Sequence, residues 1–411
     1  MRPAYLIYLD WSSIRERMIN KRYIALSLIT ALAFNACQQK ENKDLASNMP
    51  LVKERNVLVD NPYKVEFPTV PTEYILEKAH IIENFYNDNI NKAGYTGSFL
   101  VAKNGQIIYE NYSGVADRYG NDSINSETPM HVASVGKVVT AVSVLRLVDA
   151  GKIDLDQSVS DIIDGFPYPE ITVRTLLSHR SGLGYYGYYK NVWDVKKTVN
   201  NEDVINAINT KKVSLDFRPN SKFTYSNTNY VLLASIVERV TNKTFKEALR
   251  ELIFEPLQME HSFVFDDLSK KNQVTQSFYN NSKLQRWDYL DGTYGDKNIY
   301  TTPRDFLKLD TALYSDNFLS ADLKQEMTKG YSYESKGKRN YGLGLRLIEM
   351  DNGDNYTYHN GWWRGNTSSY IRLAKDNVCI ILFSNKYSSA TYKTVSLSHH
   401  FGDYPVGNME L

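Results

Sequence analysis

The sequence predicts an α+β fold: an antiparallel sheet built from both ends of the chain and flanked by helices, with a mostly helical region inserted between its halves. Three observations carry that expectation. Near the start of the folded part, two apolar runs are joined by Asn104-Gly105, a strong short-range signal for a two-stranded hairpin. Four short runs rich in apolar and aromatic residues close the chain. Between these two groups, most apolar residues recur at helical rather than alternating spacing.

The elements follow in order. Residues 73–93 place Ile75, Leu76, Ala79, Ile82, Phe85 and Ile90 on one helical face. Ser98–Lys103 and Gln106–Asn111 flank the Asn-Gly loop as strands. Ser134–Ala150 is a helix whose apolar residues cover nearly its whole circumference, so it is expected to be buried, with Gly151 as its stop. Thr172–Ser178 and Tyr230–Val240 are helices of the central region. Thr302-Pro-Arg-Asp305 has capping-box spacing with proline in the first turn and opens a further helix. The closing strands are Tyr341–Leu347, Tyr356–Asn360, Ser368–Leu373 and Val378–Phe383, the last two joined by a turn at Asp376-Asn377. The expected division is 73–160 and 288–400 for the α/β part, 161–287 for the helical part, and 401–411 as a tail.

Composition excludes several function classes. Of 411 residues, 48 are basic and 47 acidic, a net charge of +1, which lacks the basic excess of a nucleic-acid binder. A hydrophobic content of 42% excludes a disordered chain. Two cysteines, Cys37 and Cys379, are too few for a disulfide framework or a four-thiolate zinc site, and no His-Glu-x-x-His pairing occurs, so no metal site is expected. The compositional oddity is 31 tyrosines, too many for a catalytic role to account for more than a few.

The N-terminus reads as an address. The apolar run Tyr23–Phe34 follows Lys21-Arg22 and ends at Asn35-Ala36-Cys37. Its twelve residues fall short of the roughly 20 that span a bilayer, and the pattern is that of an export signal. The cysteine at its end resembles a bacterial lipobox, with Phe34-Asn35-Ala36 departing from the stricter pattern. Residues 1–36 are therefore expected to be a signal segment, with Cys37 lipidated. Asp10, Trp11 and Glu16 do not suit such a segment, whereas Met18-Ile-Asn-Lys-Arg22 does, so Met18 is the expected start of translation. Residues 37–72, polar and carrying Pro50, Pro62, Pro68 and Pro71, are expected to be a tether.

Three short motifs carry chemistry. Ser134-Val-Gly-Lys137 opens the buried helix and sets a hydroxyl and an amine on one helix face. Burial disfavours the charged amine, and a neutral amine accepts the hydroxyl proton. The positive end of the helix favours a developing anion. Ser134 as a plain cap and Lys137 as a surface charge would leave a lysine on an otherwise apolar helix. The same spacing at Ser335 and Lys338 falls in a charged segment and is set aside. Tyr225-Ser-Asn227, read as extended chain, points Tyr225 and Asn227 the same way. Tyr-x-Asn also occurs at Tyr119, Tyr189 and Tyr279, so its spacing alone is not specific. His359-Asn-Gly361 places a hydrogen-bonding side chain before a glycine that admits close approach of a backbone.

Together these motifs resemble the serine β-lactamase-related family of class C β-lactamases, D-aminopeptidases, D-alanyl-D-alanine carboxypeptidases and esterases. The blocks His131–Lys137, Ile171–Leu183, Pro219–Leu232 and Phe254–Met259 share in the likeness, which spans roughly residues 72–386. The resemblance implies a β-lactamase/transpeptidase-like fold. It implies Ser134 as acyl nucleophile, Lys137 as its activator and Tyr225 as partner in proton transfer. It implies Asn227 as holder of the substrate amide oxygen, the amides of Ser134 and Trp362 as oxyanion donors, and His359 and Gly361 beside the substrate. His359 is read equally well as a structural hydrogen-bonder; for Tyr225 a packed ring is the lesser alternative to the role in proton transfer. His179 is expected to be structural, and Arg304 and Asp305 to serve helix-end electrostatics. The tyrosines of Gly182–Tyr189 are expected either to line the cleft or to pack on the surface.

Lactamases carry Lys-Thr-Gly where this chain has His359-Asn360-Gly361, and Arg364 is the expected source of the missing positive charge. The expected function is an exported serine hydrolase, lipid-anchored in the bacterial envelope, that cleaves an ester or a D-amino-acid amide without metal or organic cofactor. Its expected partner is a small-molecule or peptide substrate, cell-wall fragments included, with no nucleic acid and no membrane contact beyond the lipid. The alternatives are a true β-lactamase and a catalytically silent peptidoglycan-binding protein on the same fold.

Overall fold

The computed structural model describes Tyr63 and residues 65–404, except 121, 190, 191, 211, 212, 335 and 336. The signal segment, Met18, Cys37, nearly all of the tether, Ser335 and residues 405–411 lie outside the described residues.

The chain enters as helix α1 (Thr72–Phe85), continues through a wider turn to Ile90 and a 3-10 turn to Ala93, and stops at Gly94 in the left-handed region. Strands β1 (Gly97–Lys103) and β2 (Gln106–Ser113) form the expected hairpin around Asn104-Gly105, both residues at positive φ. A short β3 (Met130–His131) and a 3-10 turn at Ala133–Val135 lead into α2 (Gly136–Asp149). This helix is buried on almost every side, as its apolar circumference predicts.

The middle of the chain supplies α3 (Val173–Leu177), α4 (Asn201–Asn209), α5 (Asn227–Thr241) and α6 (Phe245–Leu249). Thr172 and Thr175 cap α3 reciprocally. Helix α5 begins three residues earlier than its apolar pattern suggests, so Asn227 is its first residue rather than part of a strand. Strand β4 (Phe263–Val264) also falls here and pairs with β5 (Ile299–Thr301), which pairs in turn with β3. This three-stranded sheet has no signal in the sequence, because two- and three-residue strands are too short to show a period.

Helix α7 (Pro303–Ala312) starts under the Thr302 hydroxyl, which accepts from the Asp305 amide. Asp305 does more than serve a helix end: its carboxylate accepts from the His261 amide and the Ser262 hydroxyl, and Lys308 pairs with it. Arg304 likewise reaches β2, where it forms a two-pronged ion pair with Glu110. Helix α8 (Ala321–Thr328) follows.

The expected strand over 341–347 is instead a tight hairpin of β6 (Arg339–Tyr341) and β7 (Arg346–Glu349). Glycines cause the break. Gly344 sits at φ +89, and a Cβ there would stand 2.4 Å from the Ala141 methyl of α2. Strands β8 (Asn355–Trp363), β9 (Asn366–Leu373) and β10 (Val378–Ser384) complete the main sheet, in the order β2-β1-β10-β9-β8-β7-β6, antiparallel throughout. The two ends of the chain thus meet at the β1–β10 ladder, as expected. Helix α1 and the closing segment Ser389–His400 cover one face; α7 and the 3-10 turn before α2 pack on the other.

Candidate active site

The turn Val132–Ser134 is where the small sheet, the main sheet and α2 converge. Ala133 adopts φ +47, a conformation that non-glycine residues hold only when their surroundings impose it. Its neighbours do so: Val132 N–H donates to Ile299 O (3.1 Å), Val132 O accepts from the Ser368 hydroxyl (2.6 Å), and Ala133 N–H donates to His131 Nδ1 (3.1 Å). Gly361 of β8 presses against this turn. A Cβ at 361 would stand 2.9 Å from Ser134 N and 2.2 Å from Ser368 Oγ, so only glycine fits there.

Lys137, one turn along, is fully buried. Its Nζ lies 3.0 Å from Ser134 Oγ and donates to Asp296 O at 2.7 Å. The same Nζ sits 5.2 Å from the Tyr225 ring and 5.6 Å from that of Tyr230. The structure therefore brings Ser134, Lys137 and Tyr225 into one cluster, with Gly361 against the serine amide and Trp362 next along the strand.

Tyr225 is held from behind by His179. That residue has φ +57 at the end of α3, and its ring lies 4.3 Å from the Tyr225 ring. His179 Nδ1 accepts from Ser226 N–H (3.2 Å) and faces Asn229 Nδ2 (3.0 Å). Burial, and then the positive charge of Lys137, hold its imidazole neutral, well below the usual histidine range. Three polar atoms of the Tyr225 segment are buried with no partner: Tyr225 OH, Ser226 Oγ and Asn227 Oδ1. Their hydrogen-bonding capacity is unused within the protein, and all three belong to one short segment beside Ser134 and Lys137.

His359 is brought to the same cluster, its ring 6.2 Å from that of Tyr225, but it is completely buried. Its Nδ1–H donates to Asn360 O (2.8 Å), so Nε2 accepts from Tyr341 OH (3.2 Å). Burial, with Arg346 and Lys137 nearby, keeps it neutral. Both ring nitrogens are used within the protein, the arrangement of a structural hydrogen-bonder.

The positive charge expected of Arg364 is spent elsewhere. Its guanidinium pairs with Asp288 and lies 3.4 Å from Asp291. Arg346 takes the open place. Its guanidinium stands 4.9 Å from the Tyr225 ring, its Nε is buried without a partner, and no acidic side chain among the described residues pairs with it. The sequence holds one signal for it: Arg346 interrupts the apolar run Leu343–Ile348. Asp296 acts through its backbone oxygen, which no motif reveals.

The Trp362 ring is 63% exposed, fixed by donation from Nε1 to Arg364 O (2.8 Å) and packed edge-on against Tyr387. In the 182–189 loop the four tyrosines divide. Tyr186 is wholly buried, its hydroxyl engaged by Thr293, Asp296 and Lys297, and Tyr189 packs on Trp193. Tyr185 lies beside Asn227 and carries the exposed Tyr188 against its ring.

Three comparisons bear on this geometry. A family model described as Beta-lactamase matches residues 88–396. Penicillin-binding protein 4* of Bacillus subtilis is 27% identical over 322 residues, covering 74% of this chain and 71% of that one. Teichoic acid D-alanine hydrolase of Staphylococcus aureus is 26% identical over 339 residues, covering 78% and 82%. Among solved structures, D-amino acid amidase from Ochrobactrum anthropi SV3 superposes with a TM-score of 0.62 over 75% of this chain and 91% of that one at 24% identity, a likeness of fold.

Proposed function

The chain belongs to the β-lactamase family, and on that premise we propose that it is an exported serine hydrolase that forms an acyl-enzyme on Ser134 and releases D-amino acids from an ester or amide. The observation that carries this reading is the 3.0 Å contact between Lys137 Nζ and Ser134 Oγ on a buried helix, beside a buried Tyr225 hydroxyl that nothing in the protein engages.

The chemistry follows from that placement. Acylation proceeds from the form in which Lys137 is an uncharged amine: Ser134 Oγ gives its proton to the Lys137–Tyr225 pair and bonds to the substrate carbonyl carbon. The oxygen that becomes anionic is held by the amides of Ser134 and Trp362, each such donor being worth about 3 kcal/mol of the barrier. Tyr225 returns the proton to the leaving oxygen or nitrogen as its bond to carbon breaks. Water then gives a proton to the same pair, attacks the acyl carbon, and Ser134 leaves with a proton regained. Asn227 Oδ1 accepts from an amide or amine of the substrate, and Arg346 meets a substrate carboxylate.

Two neighbours favour a D-amino-acid substrate: one relative is named a D-alanine hydrolase and one structural neighbour a D-amino acid amidase. The apolar run Tyr23–Phe34 behind Lys21-Arg22, read as an export signal ending at Cys37, supports a lipid-tethered enzyme in the bacterial envelope. The test is mass spectrometry of the intact protein after exposure to a fluorophosphonate and to D-alanyl esters. The reading requires a single adduct on Ser134 and none on Ser134→Ala. An unlabelled wild-type chain overturns it. Incorporation of a palmitate analogue that Cys37→Ser abolishes is the expected result for the anchor.

A further inference from the structure

Behind the reactive cluster lies a second polar network that the reaction above does not use. Asn298, at φ +63, has both of its side-chain amide hydrogens assigned by backbone carbonyls. Its Nδ2 donates to Asp291 O (2.7 Å) and to Thr293 O (3.0 Å), and carbonyls only accept. Its Oδ1 must therefore be the atom that faces His131 Nε2 at 3.1 Å, which fixes the proton of that imidazole on Nε2. Nδ1 is left as an acceptor, and Ala133 N–H, the amide before Ser134, donates to it.

The same segment reaches the opposite wall. Asp291 Oδ1 accepts from Trp363 Nε1 at 2.6 Å, and Lys297 Nζ lies 4.6 Å from the Trp363 ring. Trp363 adjoins Trp362 on β8. The carbonyl of Asp296 in this segment also accepts from Lys137 Nζ. One stretch of chain, residues 288–298, thus holds the Ser134 turn, the catalytic lysine and the end of β8.

We propose that His131 and Asn298, joined through Asp291 to Trp363, are positioning residues that set the spacing between the two amide donors of the oxyanion hole. The inference rests on the hydrolase reading given above. It explains why a non-glycine residue holds φ +47 beside the nucleophile: without the imidazole acceptor, the Ala133 amide would be buried and unpaired, and the turn would relax and swing the Ser134 amide. The link needs neutral His131. Burial holds its pKa down to about 4, with Lys297 adding to that shift and Asn298 and Asp296 opposing it.

The test compares three substitutions at 131 in the full chain. His131→Asn sets an amide oxygen near the Nδ1 position, His131→Gln reaches only the Nε2 position, and His131→Leu removes both. Acylation by p-nitrophenyl acetate is followed as a burst, substrate affinity is taken from its concentration dependence, and affinity for phenylboronic acid reports the oxyanion hole in its tetrahedral state. For His131→Leu the expected fall is about 10- to 100-fold in acylation rate, with a parallel loss of boronate affinity and less than a threefold change in substrate affinity. His131→Asn should recover most of the rate and His131→Gln little of it. If His131→Leu does not fold, the Asn-to-Gln order decides alone. An equal rate for Asn and Gln, or a folded Leu variant acylating as fast as wild type, overturns the proposal. A wild-type chain that gives no burst with any ester overturns the hydrolase reading on which it rests.

Discussion

The two sides of the cleft are finished to different degrees. On the nucleophile side the groups of the 132–137 turn bond within the protein: Lys137 bonds Ser134 and Asp296 O, Val132 O bonds Ser368, and the Ala133 amide bonds His131, while Asp296 Oδ1 has no partner. On the other side, Tyr225 OH, Ser226 Oγ and Asn227 Oδ1 are buried with nothing to bond, and Arg346 stands over the Tyr225 ring without an acid. The first side is held in its working geometry by the protein. The second leaves its hydrogen-bonding capacity unused within the protein. Leaving a buried polar atom unsatisfied costs about 1–3 kcal/mol, so this side is a stability deficit retained at the site.

The sharpest way to break that contrast is to remove a group from each side. Lys137→Ala should abolish turnover, a fall of about 10³-fold or more. It should also lower the unfolding midpoint, because the Asp296 carbonyl loses its donor. Steady-state ester hydrolysis and a thermal melt give both numbers. Tyr225→Phe should cut turnover by about 10²- to 10³-fold yet leave the melt unchanged or raised, since the hydroxyl it removes has no partner. A clear destabilisation by Tyr225→Phe would show that the hydroxyl is structural and end the contrast.

The two arginines sharpen it further. Arg346→Met should raise KM by about 10- to 100-fold for substrates with a free carboxylate and leave neutral esters within about threefold, the loss of one charge-assisted contact. Arg364→Met instead leaves Asp291, itself only 2% exposed, without its cation, and should appear as an earlier melt of about 1–3 kcal/mol.

A further expected effect, without any substitution at the cleft, is in the pH dependence of stability. His131, His179 and His359 are all buried and held neutral, with folded-state pKa values below the ordinary 6.5. The unfolded chain then binds more protons than the native one below pH 6.5, so stability must fall as pH drops through that point. With its pKa at about 4, His131 alone accounts for about 2 kcal/mol of loss between pH 7 and pH 5. Denaturant midpoints at the two pH values, for wild type and His131→Asn, measure that share; an equal slope in both would remove His131 from the account.

Much of this was legible in the residues. Asn104-Gly105 between apolar runs specified the hairpin, and the all-round apolar pattern of 134–150 specified a buried helix with Lys137 inside it. The spacing Ser134–Lys137 needed only helix geometry to become a contact. The spacing of 341–347 suits one strand, but Gly342 and Gly344 break it there, their lack of Cβ serving a close approach to Met327 and Ala141. Part of the tyrosine excess lies in the interior: Tyr86 packs against Tyr95, Phe99 and Tyr109 behind the hairpin, and Tyr230 and Tyr341 lie around His179.

By itself the sequence determined the order of the elements, the family likeness and the identity of the motif residues, because local spacing and side-chain type are written directly in the chain. Only the tertiary structure decided which arginine is free, that His359 spends both nitrogens internally, and that a carbonyl of Asp296 receives Lys137. Those outcomes depend on what stands opposite each group across long stretches of chain. A backbone oxygen is the same in every residue, so its use leaves no mark in the sequence.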